Sequence, residues 1–362
     1  MFDFITESRN FYDYITLAVL LLVFFNTFEI LFLLYNKARV ERSERKRQNL
    51  KRLASTALIT ATNAAELLPK PATEDEYAAY SEAVASVLDS FEGEIADRAA
   101  ALITQLGIDA HYRRLARHRT WYKRGNAVDI LASFRLKANK EFFLAIFRSE
   151  TSSEVKYRII YGLSRLVRDH GDILVLARLL SSLPYLTAKY TEDIFYNVIT
   201  ALKAAGREEE FGLFMRDTMH DESVLKMVKR DCLAACSAAV CEKGRATLLG
   251  YYAAFPGEPE ILIASLRALA GIGDFSQLPA ALKHPDWRVR LAALKFSHLC
   301  CTDMLPEVRA MLHDPNYHVR LNAALAFARS GDAGRAVLRA EESSDDRFAA
   351  AAAAYALSQE AL

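Results

Sequence analysis

DWRVRLAAL at residues 286–294 and NYHVRLNAAL at residues 316–325 are two copies of one pattern, and they decide the fold class of this chain. Val289 and Val319 are thirty residues apart, and an arginine follows each of them directly. The apolar residues around them fall at helical spacing and not in the alternation of a β-strand. A period near thirty leaves room for two helices and two turns in each unit. The sequence therefore predicts an all-α protein built as an α-solenoid.

Weaker copies extend this prediction in both directions. A third copy begins at Asp345 and places Phe348 29 residues after Val319, and an earlier copy runs from Ser152 to Lys156. Breaks between helices recur along the chain, often as a glycine beside an aspartate that can cap the next helix. We predict seven helical hairpins and a final helix. The expected turns lie near Lys140, Gly171, Gly206, Gly244, Gly271, Asp303 and Gly331.

The repeated pattern resembles the HEAT family, in the short-repeat form that is common in bacterial proteins. In that family the first helix of a unit often opens with an aspartate, and valine and arginine follow three and four positions later. The matching residues are Asp286, Val289 and Arg290 in one unit and Asn316, Val319 and Arg320 in the next. The resemblance is strong over residues 258–362, weak over 120–257 and absent before 110.

This resemblance implies a role for the matched residues. In the family, the acidic and arginine slots usually tie neighbouring repeats together, so Asp286, Arg290 and Arg320 are expected to be structural. Ala349 stands in the arginine slot of the last copy, an arrangement expected where no further repeat has to be held. Solenoids of this family usually grip other proteins, although some are enzymes, such as alkylpurine DNA glycosylases and bilin lyase subunits.

A second feature predicts the location of the chain. The run from Ile15 to Leu34 is mostly apolar, and at about 1.5 Å of rise per residue it is long enough to cross a bilayer as a helix. Between Lys37 and Arg52, eight lysines and arginines face only two glutamates, which predicts an N-terminus outside and a cytoplasmic remainder. A secretory signal would have the opposite charge order and a cleavage site. We interpret the run as a retained single-pass anchor in the cell (inner) membrane.

The predicted membrane helix carries a polar stripe. Asn26 and Glu29 are three residues apart and Asn36 follows one heptad later, so all three fall on one helical face. A carboxyl group in lipid is costly, so Glu29 is expected to be neutral, solvated or paired with another helix. The stripe is therefore a candidate docking face for a membrane partner. The alternative is that Glu29 draws in water or thins the bilayer locally without any partner.

The segment between anchor and repeats predicts one long helix and then a second. No glycine or proline occurs before Leu68, so the anchor helix is expected to continue into the cytoplasm until Pro69 and Pro71 end it. Thr73 and Glu76 then form a capping-box pattern that starts a helix running to about Leu106. We expect the two helices to form an antiparallel pair between Leu50 and Gly107.

A seam of small and apolar residues follows one side of the cytoplasmic part of this first helix. Its members are Leu50, Leu53, Ala57, Thr60, Ala64 and Leu67. The seam suits self-association or a partner helix in the same chain, and we favour the second because it lasts under three heptads. The predicted organisation is residues 1–11 outside the membrane, 12–36 within it, 37–108 as basic helix and hairpin, and 109–362 as solenoid.

Composition narrows the function classes. A net charge of +1 gives no general case for nucleic-acid binding, and five cysteines fit a reducing cytosol.

Cys232, Cys236 and Cys241 lack a fourth ligand and a tight knuckle, so they predict buried packing and not a zinc site. No Walker loop, H-E-x-x-H, G-x-S-x-G or kinase signature occurs in the sequence. We therefore expect a protein that is not an enzyme and that holds no metal or cofactor.

One cytoplasmic segment combines basic and aromatic side chains. Its basic residues are Arg113, Arg114, Arg117, Arg119, Lys123 and Arg124, and Tyr112, Trp121 and Tyr122 stand among them. Basic groups attract phosphates and aromatic rings stack on bases, so the segment suits nucleic acid. Acidic lipid headgroups or an acidic partner suit it as well, because the anchor holds this region near the membrane. The structural alternative is a solvated helix face with Trp121 in the core.

Together these features predict a membrane-anchored cytoplasmic scaffold or adaptor that mediates protein–protein interaction with a membrane-associated complex. Its partners are expected to include a membrane protein, a homo-oligomer stays open, and nucleic acid is not expected. Two alternatives remain. One is an anionic-lipid or nucleic-acid binder that uses residues 111–124 close to the membrane. The other is a HEAT-like enzyme, such as a DNA glycosylase or bilin lyase, with Trp287, Arg290 or Tyr317 in a concave site.

Overall fold

The fold is known from a computed structural model, which describes residues 2–61, 64–91, 93–184, 187–239, 244–297 and 305–359. The side chains of residues 2–15, 17, 18 and 305 lie outside this description. Within the described residues every regular element is helical, so the predicted all-α class is confirmed. The chain divides into two compact units, Met1–Leu136 and Lys137–Leu362.

The described part of the first unit contains six helices. They are α1 (Phe2–Thr60), α2 (Ala64–Leu67), α3 (Glu74–Ser90), α4 (Glu94–Gln105), α5 (Ile108–Leu115) and α6 (Trp121–Ser133). As the lack of glycine and proline predicted, α1 continues unbroken from the apolar run through the basic stretch. It ends at Thr60 and not at Pro69, since the sequence there turns to threonine and asparagine, which are weak helix formers.

Helices α1 and α3 run parallel, so the predicted antiparallel pair is wrong. Side-chain partners advance together along both helices: Ser43 with Asp75 at 2.7 Å, Lys46 with Glu76 at 2.9 Å, and Lys51 with Glu82 at 3.4 Å. The physical reason is the length of the linker. Residues 61–73 can reach roughly 35 Å, which exceeds the roughly 25 Å of helix between Ser43 and Thr60. The chain therefore returns along α1 before α3 begins.

The seam on α1 packs within the chain, which is the alternative that we favoured. Ala54, Ala57 and Leu58 are buried, and α1 packs on α3. The buried face is rotated from the predicted one, because Leu53 and Leu67 are exposed. Alanines on α3, including Ala79 and Ala83, are also buried, so small residues let the two helices approach closely.

The helix expected from Thr73 to Leu106 is two helices. Its start is as predicted: the Thr73 side chain accepts from the backbone N–H of Glu76, and the Glu76 carboxylate accepts from the backbone N–H of Thr73. The break lies at Gly93, whose φ of 68° is open to glycine and strained for other residues. Gly107 has the same φ and separates α4 from α5.

The described part of the second unit contains fourteen helices and one 3₁₀ segment. They are α7 (Asn139–Ser149), α8 (Ser153–Ser164), α9 (His170–Ser181), α10 (Ala188–Ala204), α11 (Glu209–Thr218), α12 (Lys226–Ala239), α13 (Arg245–Ala254), α14 (Pro259–Gly271), α15 (Leu278–Leu282), α16 (Trp287–Ser297), α17 (Leu305–Ala310) with a 3₁₀ segment (Met311–His313), α18 (Tyr317–Arg329), α19 (Gly331–Glu341) and α20 (Arg347–Gln359).

These helices stack as hairpins in two layers. From α8 to α20, each even-numbered helix packs on the next even-numbered one, while the odd-numbered helices lie beside them, with α9 on α11 and α11 on α13. The unit is therefore an α-solenoid, as the thirty-residue period predicted. The turns expected near Gly171, Gly206, Gly244, Gly271 and Gly331 lie within a few residues of helix boundaries. The turn expected near Asp303 lies outside the described residues.

The third copy of the pattern follows after thirty residues, so the predicted spacing of 29 is wrong. Ala349 is buried in the valine slot, whereas Phe348 is 53% exposed. The caps agree with this register, because each accepts from the backbone N–H two residues later: Asp286 from Arg288 at 2.8 Å, Asn316 from His318 at 2.9 Å and Asp346 from Phe348 at 2.9 Å. The arginine slot of the last unit is consequently Ala350.

Candidate functional site

Helix α1 is long and apolar enough to cross a membrane, and none of its most apolar stretch is buried. A core helix of a soluble protein would be mostly buried, whereas an N-terminal signal sequence would show the same length and composition. Large apolar side chains are exposed from Val19 to Tyr35. The structure thus shows one long, exposed, apolar N-terminal helix.

The polar stripe on α1 leaves its carboxyl group without a partner among the described residues. The Asn26 amide donates to the carbonyl oxygen of Leu22 at 2.7 Å, which satisfies it within the helix. Asn36 is half-buried, and Glu29 is exposed. The Glu29 carboxylate makes neither a hydrogen bond nor an ion pair with any residue that the structure describes. Within the stripe, Glu29 is therefore the group that most needs water or another chain.

The basic segment divides into structural and exposed side chains. Arg124 Nη1 donates to the carbonyl oxygens of His118 at 3.0 Å and Arg119 at 2.9 Å, and Arg113 is half-buried. Trp121 is 50% exposed, so the expectation that it lies in the core is wrong. The exposed basic-aromatic patch consists of Arg114, Arg117, Arg119, Lys123, Trp121 and Tyr122.

The position of Arg124 repeats that of the arginines of the HEAT-like pattern. In each case Nη1 donates to the carbonyls five and six residues earlier: Arg290 to His284 and Pro285, both at 2.8 Å, and Arg320 to Asp314 at 2.7 Å and Pro315 at 3.1 Å. A short sequence motif marks this shared position of Arg124 and Arg290, although the thirty-residue period does not reveal it. H-x-x-W-x-x-R occurs at both 118–124 and 284–290.

Arg290 also connects two neighbouring repeats. Its Nε and Nη2 donate to the Asp314 carboxylate at 2.7 and 3.0 Å, with the arginine on α16 and the aspartate just before α18. The two side chains are only 12% and 3% exposed, so the pair is shielded from water. Arg320 makes a different contact with the next unit, because its guanidinium lies 5.1 Å from the centre of the Phe348 ring.

Asp286 reaches its neighbouring repeat through a second side chain. Its carboxylate binds Arg288 at 2.8 Å, and this hydrogen bond lowers the pKa of Asp286. Arg288 Nη1 in turn lies 3.2 Å from Glu260 on α14, in the preceding unit. Asp286 thus caps α16 and orients the arginine that forms the contact.

Helix α12 buries two cysteines, as the sequence predicted, and an aspartate that the sequence did not single out. Cys232 and Cys236 are buried, and burial raises the pKa of the Cys232 thiol; Cys241 lies outside the described residues. Asp231 is fully buried beside Arg230, and burial raises the pKa of its carboxyl to about 6. No group of three or more His, Cys, Asp or Glu in the described ranges is placed to hold a metal ion.

A surface cavity of about 600 Å³ lies at the start of α12, with Met219, Leu225 and Phe255 in its lining. Lys229 also lines it and is almost fully buried. Its ammonium donates to the carbonyl of Met219 at 3.1 Å, and burial lowers its pKa. Sequence reasoning missed both Asp231 and Lys229 because a single charged residue in an amphipathic helix gives no sign of its burial.

Comparison with known proteins agrees with the class that the structure defines. The HEAT repeat family model matches residues 304–330, which include α17 and α18. The second unit is thus an α-solenoid in which residues 304–330 match the HEAT repeat model. None of the curated proteins compared with the chain matches it.

The solved structures that match the chain share little sequence with it, and their TM-scores are low. An engineered protein is 18% identical, with 85% of this chain and 87% of that chain covered and a TM-score of 0.37. Kap121p bound to Nup53p is 14% identical, with 84% of this chain and 41% of that chain covered and a TM-score of 0.40. Human deoxyhypusine hydroxylase in complex with glycerol is 15% identical, with 77% and 94% covered and a TM-score of 0.24. The matched part spans about two fifths of Kap121p.

Proposed function

We propose that the chain is a single-pass membrane protein whose solenoid acts as a non-catalytic scaffold for protein partners in a membrane-associated complex. The observation that carries the proposal is the apolar stretch of α1, which has no burial within the chain. Each large apolar side chain moved from water into an apolar medium gains roughly 1.5–3 kcal/mol, so over the stretch insertion is strongly favoured. The charge order on either side supports an N-terminus outside and a solenoid in the cytoplasm.

The scaffold part of the proposal is supported by the repeated architecture. Stacked hairpins present a long surface of persistent shape, which suits protein binding. Trp287, Tyr317 and Phe348 are exposed at the starts of successive helices in one layer, and aromatic residues are enriched in protein interfaces. Arg290, considered above for an enzymatic site, has its donors engaged by Asp314 and two carbonyls.

The membrane partner would meet the polar stripe of α1. In lipid, a polar group of a second helix would satisfy the Glu29 carboxyl that no described residue of this chain satisfies. Such a contact would be local to one helical face. Residues on the other faces of α1 should therefore be replaceable by other apolar residues without loss of the partner.

The test is quantitative recovery of crosslinked partners from detergent-solubilised membranes. Substituting both Glu29→Leu and Asn26→Leu should lower recovery while the chain stays in the membrane. Thr27→Leu is the matched control, because Thr27 lies about 100° from Asn26 around the helix and donates to Val23 within its own helix. Equal recovery from all three proteins would remove the role of the stripe.

A further inference from the structure

The parallel packing of α1 and α3 brings the start of α3 close to the end of the apolar run. Asp75 accepts from Ser43 at 2.7 Å, and Ser43 lies nine residues beyond Leu34. At about 1.5 Å per residue, that places this contact roughly 13 Å along the helix from the last apolar residue. Headgroups occupy roughly 5–7 Å of that distance on each side of the bilayer. An antiparallel pair would have put the start of α3 at the far end of α1.

Helix α5 packs on the same end of α3. The ring of His111 stacks on Tyr77 with 3.7 Å between ring centres, and His111 Nε2 lies 3.4 Å from a carboxylate oxygen of Glu74. Both partners belong to the first turns of α3. The basic-aromatic patch begins three residues after His111, at Arg114, and its other members follow within nine further residues.

The charges at this level favour an anionic surface. The patch supplies four exposed cations, and on α1 the exposed side chains of Arg39 and Arg42 form no ion pair with any residue that the structure describes. Of the three carboxylates at the start of α3, Glu76 pairs with Lys46 at 2.9 Å, whereas Asp75 accepts only from the uncharged hydroxyl of Ser43. The four patch cations together with Arg39 and Arg42 outnumber the two remaining carboxylates, Glu74 and Asp75. Arg124 is not part of the surface, because its guanidinium holds the turn before α6.

We propose that the basic-aromatic patch binds anionic lipid headgroups of the leaflet from which α1 emerges. The inference rests on the membrane anchor proposed above and adds a second contact between the first unit and the bilayer. On this reckoning the Ser43–Asp75 contact lies roughly 6–8 Å beyond the headgroups, which is within the Debye length of roughly 8–10 Å over which electrostatic attraction persists. Trp121 and Tyr122 supply the amphipathic rings that favour the interface between membrane and water.

The tryptophan content of the chain makes the contact measurable. The sequence has two tryptophans, Trp121 in the patch and Trp287 on α16, so Trp287→Phe leaves Trp121 as the reporter and Trp121→Phe leaves Trp287 as the control. Each full-length single-tryptophan protein is incorporated into bilayer discs of phosphatidylcholine with or without phosphatidylglycerol. The discs contain a brominated lipid that quenches fluorescence on contact.

In the anionic discs we expect the fluorescence emission of Trp121 to shift to shorter wavelength and to be quenched. Both effects should be smaller in the zwitterionic discs. The emission of Trp287 should be unchanged in both kinds of disc. Removing two patch charges with Arg119→Gln and Lys123→Gln should shift the docked equilibrium about fivefold per charge. The matched pair Arg329→Gln and Arg339→Gln, exposed in the second unit, should leave it unchanged.

The outcomes separate this inference from the proposal on which it rests. If the full chain fails to co-elute with lipid, the anchor itself is wrong and the inference falls with it. If the chain incorporates but Trp121 responds equally in both kinds of disc, the headgroup contact is overturned while the anchor stands. A response of Trp121 to single-stranded RNA with none to anionic discs would also overturn it, in favour of nucleic acid.

Discussion

At the residue scale, Arg290 shows how one side chain holds two repeats, and it supports a stability prediction. Arg290→Met removes the counter-charge of Asp314, which stays buried, so the second unit should lose about 3–5 kcal/mol of unfolding free energy. Urea unfolding followed by circular dichroism measures this loss. The control is Lys189→Gln, whose ion pair with Asp193 has an 81% exposed lysine and should therefore contribute little to stability. Equal losses in both variants would contradict the shielded pair.

Asp231 supports a prediction of pH dependence. Its folded pKa of about 6 lies above its usual 3.8, so its contribution to stability is complete below pH 3.8 and is lost as the pH rises through 6. Asp231→Asn removes this titration. Relative to the variant, the natural protein should therefore lose roughly 3 kcal/mol of stability between pH 4 and pH 7. Thermal unfolding of both proteins across that range is the measurement, and a constant difference would refute the raised pKa.

At the element scale, the contact between α18 and α19 depends on a glycine. A methyl group on Gly334 would overlap the backbone carbonyl of Phe327, so Gly334→Ala should force the helices apart and cost about 1–3 kcal/mol. Gly212 lies in α11 with open space where a methyl group would stand, so Gly212→Ala should instead stabilise its helix by roughly 0.5–1 kcal/mol. Chemical denaturation of both variants tests the contrast, which two changes of the same sign would contradict.

Local chemistry made many elements predictable from the sequence. The Thr73 and Glu76 cap, the unbroken α1 and the repeated hairpins depend on residues close to one another in the chain, and the structure contains all of them. The direction of α3 was not predictable in the same way. It depends on the reach of the linker before Thr73 and on long-range pairs such as Lys46 with Glu76. Gly93 was passed over because a single glycine inside a helical pattern is often tolerated.

The residues of the candidate sites also divide into those that were predictable from local sequence and those that were not. Val289 and Val319 could be placed in the core from the period alone, and both are fully buried. The six basic residues of 113–124 could not be sorted into structural and exposed members by composition. Arg124 and Lys123 are adjacent, yet the first holds a turn and the second faces solvent, and only the H-x-x-W-x-x-R repeat distinguishes them in sequence.

At the scale of the whole molecule, one chain contains both an exposed apolar helix and stacked repeats. In the proposed function, the repeats would provide the surface for partners and the helix would hold that surface at the membrane. A soluble scaffold would have no use for an apolar stretch that no described residue covers, since such a stretch promotes aggregation in water. The membrane location of α1 is therefore the property on which the proposed function depends most.

The most direct test of that claim is protease accessibility of the full-length chain, with an epitope at its C-terminus, in membranes washed with alkaline carbonate. The account predicts that the chain stays in the membrane pellet and that protease removes the epitope only when it reaches the cytoplasmic face. Release of the chain into the carbonate supernatant, or digestion of the epitope in intact cells, would contradict it.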